Sequence, residues 1–137
     1  MKTITVAAAL LCGMFMNARA SADQITRKVR VRVTYYSPEG CKWGDRVACQ
    51  KTKRAREGVT VAADPKKYPY GTKVFIPALK GLIGDGNFIV QDTGGAVKSM
   101  KASKGKADII DVYVTTNAKI RRHMKNDMYM SAYITKQ

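Results

Sequence analysis

Histidine, tryptophan, cysteine and acidic residues are all scarce in this chain: one histidine, one tryptophan, three cysteines, and 10 acidic residues against 25 basic ones. A single histidine and no CxxC pair leave no ligand set for zinc, so no metal site is expected. There is no GxGxxG and no GxxxxGK[ST], which removes support for nucleotide chemistry, and no cofactor is expected. No repeat or low-complexity tract occurs. Beyond the first two dozen residues, no apolar run approaches the length of a membrane span.

What the chain does have begins with an address. Lys2 precedes a mostly apolar stretch, 3–16, and Ala18-Arg19-Ala20-Ser21-Ala22 supplies small residues at cleavage spacing. That is the pattern of a secretory signal peptide, residues 1–22, cut after Ala20 or Ala22. Cys12 follows Leu11, where lipoprotein signals carry a small residue, so it is read as part of the discarded leader and no membrane anchor is expected after cleavage. Residues 23–137 then make one domain, monomeric and secreted to the periplasm or cell envelope. Their 23 basic and 10 acidic residues give a net charge of +13. Such a field favours anionic partners: nucleic acid, acidic lipid or an anionic wall polymer. Export makes nucleic acid the weakest of these. The plainer alternative is that the lysines keep a small secreted protein soluble.

In an oxidising compartment, Cys41 and Cys49 are expected to close a small disulfide loop. Val29, Val31, Val33 and Tyr35 alternate with Arg30, Arg32, Thr34 and Tyr36, the mark of a half-buried strand. Residues 37–57 read as a long loop pinned by the disulfide, in which Trp43 either stacks on a sugar or packs over the bridge. Short strands follow at 58–63 and 72–77, then a hairpin through Gly81, Gly84 and Gly86 into a strand at 88–90. Lys98–Lys106 reads as a lysine-rich loop, 109–114 as a strand, and 128–134 as a final strand. Thr116 or Asn117 can cap one short helix through Lys125, with His123 a solvated side chain on it. Many short strands with Gly/Pro turns predict an all-β fold, a closed barrel.

Three aspartates stand at strand ends or within strands: Asp64, Asp92 and Asp111. Each taken singly reads equally well as a turn or capping residue. Asp111 within Ile109-Ile110-Asp111-Val112-Tyr113 needs a reason, because a carboxylate in an apolar strand is costly unless paired or neutralised. If the three strands are neighbours, crowding keeps one acid protonated near neutral pH, as a general acid for glycosidic cleavage requires. Gly94 and Gly95, after Asp92, are expected to adopt backbone angles that a Cβ disfavours.

These stretches resemble a known family. Gly58-Val59-Thr60-Val61-Ala62-Ala63-Asp64-Pro65 with Tyr68-Pro69-Tyr70-Gly71-Thr72-Lys73-Val74, then Gln91-Asp92-Thr93-Gly94-Gly95-Ala96-Val97-Lys98, then Ile110-Asp111-Val112-Tyr113, are similar to the three ordered motifs of the 3D (three-aspartate) domain. That domain is the catalytic barrel of membrane-bound lytic transglycosylase A and of small secreted relatives. The resemblance covers roughly residues 31–114. It implies a six-stranded double-psi β-barrel with one short helix, acting on peptidoglycan glycan strands. It further implies Asp111 as catalytic acid/base with Asp92 and Asp64 completing the set, and Thr93, Gly94, Gly95, Lys98, Tyr35 and Tyr113 as substrate contacts. Ser99 stands where the family often has glycine, and the extra segment 100–106 places Asp108 three residues before Asp111; Asp111 is preferred because Val112 and Tyr113 follow it. Two other readings remain: an expansin-like wall-binding module that turns nothing over, and an aspartic protease, disfavoured because Asp-Thr-Gly occurs once.

Overall fold

The computed structural model describes residues 24–125 and 127–136; the signal-peptide reading of residues 1–22 lies outside them. In chain order the strands are β1 (Thr26–Tyr36), β2 (Arg46–Val47), β3 (Gln50–Arg54), β4 (Thr60–Ala62), β5 (Lys73–Phe75), β6 (Asn87–Asp92), β7 (Asp108–Tyr113) and β8 (Tyr129–Thr135). Six of them close a barrel in the order β1-β7-β4-β6-β5-β8, and β2 and β3 form a separate hairpin. β1/β7 and β4/β6 are parallel and every other barrel pair is antiparallel, which gives the mixed, double-psi barrel.

The period-two alternation of β1 is realised as expected. Val31, Val33 and Tyr35 enter the interior, joined there by Val61, Val74, Phe88, Val90, Ile110, Val112 and Ile134. Arg32, Thr34 and Tyr36 therefore face outward. The glycine-rich turn ahead of β6 is a true hairpin, with Val74 opposite Phe88. It is pressed against a second turn: a Cβ on Gly84 would lie 2.9 Å from the Gly58 Cα, at φ +62°.

Two expectations are corrected. Residues 37–57 are not featureless, because the β2–β3 hairpin occupies their second half. Among the described residues there are two helices rather than one, α1 (Gly95–Ser99) and α2 (Asn117–His123), with 3-10 turns at Pro77–Leu79 and Lys101–Ser103. Thr116 caps α2 as read, its Oγ1 accepting from Lys119 N at 3.3 Å. On the barrel's outer face, α1 packs Val97 against Ala62 and Ile109, so the segment predicted to begin a loop is a short lid on the sheet.

Candidate active site

β4 is the strand that brings two acids together. Ala62 pairs with Asp111 on its antiparallel neighbour β7 and with Asp92 on its parallel neighbour β6. Paired residues on adjacent strands share a face, and strands lie about 4.8 Å apart, so the carboxylates flank the small Ala62 side chain from either side. Plain alternation would spoil this. Val90 points into the core, so Asp92, two residues on, would point there too. The register instead shifts between Val61 and Ala62, leaving Gln91 as the extra residue of a bulge. The Gln91 side chain is buried and accepts from Thr60 Oγ1 at 2.7 Å, and Asp92 is turned to the outer face beside Asp111.

The two acids sit in a cleft of about 570 Å³, bounded by the barrel wall, the β2–β3 hairpin and the start of α1. Asp92 is an anchoring point. Its Oδ1 accepts from Ala48 N at 3.0 Å and Thr93 N at 2.9 Å, and its Oδ2 from Tyr36 Oη at 3.0 Å. Together with Cys49 N donating to Gln91 O at 3.0 Å, these bonds latch the hairpin tip onto the end of β6. Among the described residues the Asp111 carboxyl has a single hydrogen bond, from Thr34 Oγ1 to Oδ1 at 2.8 Å. Burial pushes its carboxyl up to about 6; the Thr34 bond works against that rise and the Asp92 charge adds to it. One carboxylate is thus held by three donors, while its neighbour keeps a proton close to neutrality. Burial and the adjacent Asp92 push the Tyr36 phenol far up, so it stays a donor.

The remaining expected residues divide. Thr93, Gly94 and Gly95 line the cleft, and Thr93 Oγ1 is buried there without a hydrogen-bond partner among the described residues. The glycines act otherwise than expected: Gly94 is extended at φ −174°, a conformation open to any residue, and a Cβ at either position would meet nothing within 4 Å. Their bareness leaves the backbone open to the cleft. Tyr35 belongs to the core and sets its ring 5.6 Å from His123. Tyr113 is buried with Val47 and Ala55 beneath the hairpin and meets Tyr36 edge-on at 5.4 Å. Lys98 is exposed on α1; neither it nor either of these tyrosines lines the cleft.

Asp64 does not line the cleft either. Its Oδ1 accepts from Lys66 N at 3.0 Å and its backbone carbonyl from Lys67 N and Tyr68 N, so it shapes the turn after β4. Asp108 is engaged elsewhere, by Lys67 Nζ at 2.5 Å and Tyr68 Oη at 2.6 Å. Burial would raise its carboxyl, but those two partners outweigh it and hold the group below its ordinary value. The expected disulfide is absent: Cys41 and Cys49 are free thiols. Cys41 lines the cleft, Cys49 packs against the cluster of Val47, Ala55 and Tyr113, and the Cys49 N–H is engaged by Gln91 O. Trp43 is 65% exposed at the cleft rim, with no bridge to cover. Among the described residues no group of three His, Cys, Asp or Glu could hold a metal ion. Thr34 and Tyr36 were missed from the sequence, although strand parity places both on the face opposite the core residues of β1.

In comparisons with known proteins, the family model described as the 3D domain matches residues 59–133. Among solved structures, the chain resembles the crystal structure of MltA from E. coli, with 19% sequence identity and a TM-score of 0.42; the match covers 67% of this chain and 27% of that one. Curated proteins give no match.

Proposed function

Because the chain belongs to the 3D domain family, we propose that it is a secreted peptidoglycan lytic transglycosylase that cuts the MurNAc–GlcNAc bond with Asp111 as general acid and then base. The observation that carries this reading is the placement of Asp111 and Asp92 on either side of Ala62 in one cleft, where burial raises the Asp111 carboxyl to about 6. Asp111 donates its proton to the glycosidic oxygen as the C1–O bond breaks. The muramic C6 hydroxyl attacks C1, its proton passes to the Asp111 carboxylate, and a 1,6-anhydro end is left without any water consumed. The nucleophile belongs to the substrate, so a second carboxylate to activate water is not needed. Asp92 supports the reaction through its charge, which favours the protonated form of its neighbour, and through the latch that closes one wall of the cleft. Thr93 Oγ1, without a partner among the described residues, and the bare backbone of Gly94 and Gly95 are the polar contacts offered to a sugar.

Incubation with purified sacculi tests this. Mass spectrometry is expected to find 1,6-anhydro muropeptides from the mature protein and none from Asp111→Asn, which still pulls down with the sacculi. Reducible ends would make it a hydrolase, and binding without any release would make it a wall-binding module.

A further inference from the structure

The wall of the cleft facing the acids is cationic. Arg46 and Lys51, from the two strands of the hairpin, line the cleft together with Trp43, Asp92 and Asp111. Of the other two hairpin cations, Lys53 does not line the cleft and Arg54 is neutralised by Asp45 at 2.7 Å. Arg46 and Lys51 form no ion pair among the described residues, with the two cleft acids or with any other. The charged neighbour acting on Asp111 is Asp92, which raises its carboxyl. The two cations line the same cleft as the acid. The hairpin backbone that carries them is held in position, because Ala48 N and Cys49 N are latched to Asp92 Oδ1 and Gln91 O. Beside them Trp43 offers an aromatic surface, with Lys42 Nζ 5.3 Å from its ring centroid.

A neutral sugar needs an aromatic face and hydrogen bonds, not two uncompensated cations. We propose that Trp43, Arg46 and Lys51 form a subsite for a carboxylate-bearing sugar next to the cleaved bond, so that the cleft selects anionic over neutral glycan. This rests on the glycan-cleaving reading of the same cleft. The carboxylate has two chemical sources: the lactyl group of a muramic residue stripped of its peptide, or the acid groups of an attached peptide stem.

The test measures binding by the Asp111→Asn protein, so that turnover plays no part. Trp43 is the only tryptophan in the sequence, and its fluorescence reports the subsite directly. Three probes of equal length are compared: stem-free muramic-containing glycan, peptide-bearing glycan, and a neutral chitooligosaccharide. A carboxylated glycan is expected to bind about tenfold more tightly than the chitooligosaccharide, with affinity falling as salt rises. The double substitution Arg46→Gln, Lys51→Gln is expected to erase both the preference and the salt dependence. Arg46→Lys, which keeps the charge, is expected to retain them. Preference for the stem-free strand assigns the lactyl carboxylate, and preference for the peptide-bearing strand assigns the stem. Equal affinity for charged and neutral glycan, or a preference that survives the double substitution, overturns the proposal. A sacculus digest without anhydro products overturns the catalytic reading and leaves this comparison standing.

Discussion

Ionising Asp111 comes at a cost to the fold. Its carboxyl is raised from 3.8 to about 6, so the folded state resists the ionised form. The stability it contributes is full below pH 3.8 and is lost as pH rises through 6. Asp111→Asn is therefore expected to abolish cleavage and, at pH 7, to stabilise the protein by about 1–3 kcal/mol. Denaturation curves check this, and the gain is expected to vanish near pH 3.8. The neighbours of Asp111 act in opposite directions. kcat/KM is expected to fall as pH rises through about 6, because the protonated acid is the active form. Asp92→Asn removes a charge that raises the carboxyl, and the falling limb should move to lower pH. Thr34→Val removes the hydrogen bond that lowers it, and the limb should move to higher pH. Loss of folding alone would move neither limb.

At the scale of single elements, close contact between turns and the latching of the hairpin decide the outcome. Gly84→Ala is expected to destabilise the protein by about 2 kcal/mol or more in chemical denaturation, since its Cβ would strike the Gly58 backbone at a positive φ. Cys41→Ser is expected to change stability by less than about 0.5 kcal/mol, and reductant to leave the melting temperature unmoved, because neither thiol is bridged. Strand β1 was legible because its side chains alternate strictly, and α2 because Thr116 supplies a capping oxygen. The β2–β3 hairpin was not legible: residues 50–54, Gln-Lys-Thr-Lys-Arg, have no apolar face and are held by the latch to β6 and the Asp45–Arg54 pair. The bulge at Gln91 was equally hidden. It depends on Thr60 receiving that side chain from a strand some thirty residues away, a relation that no local pattern records.

For the molecule as a whole, the barrel follows from many short strands whose apolar residues can be buried only against one another. The meeting of Asp92 and Asp111 depends on strand order, because β4 lies between their strands. Their convergence was foreseen from residue type and motif order. The departure of Asp64 to a local turn was not, since its position at a strand end is the same in the sequence as that of Asp92. The bulge that re-aims Asp92 has no counterpart at Asp64. The whole account depends on a barrel wall that withholds water from one carboxyl while keeping a second beside it. Carbon-13 NMR titration of the aspartate carboxyls, with the Asp111 signal assigned from its loss in Asp111→Asn, measures this directly. The expected midpoint is near pH 6; a midpoint at or below 3.8 would mean that Asp111 holds no proton to give, and would contradict the account.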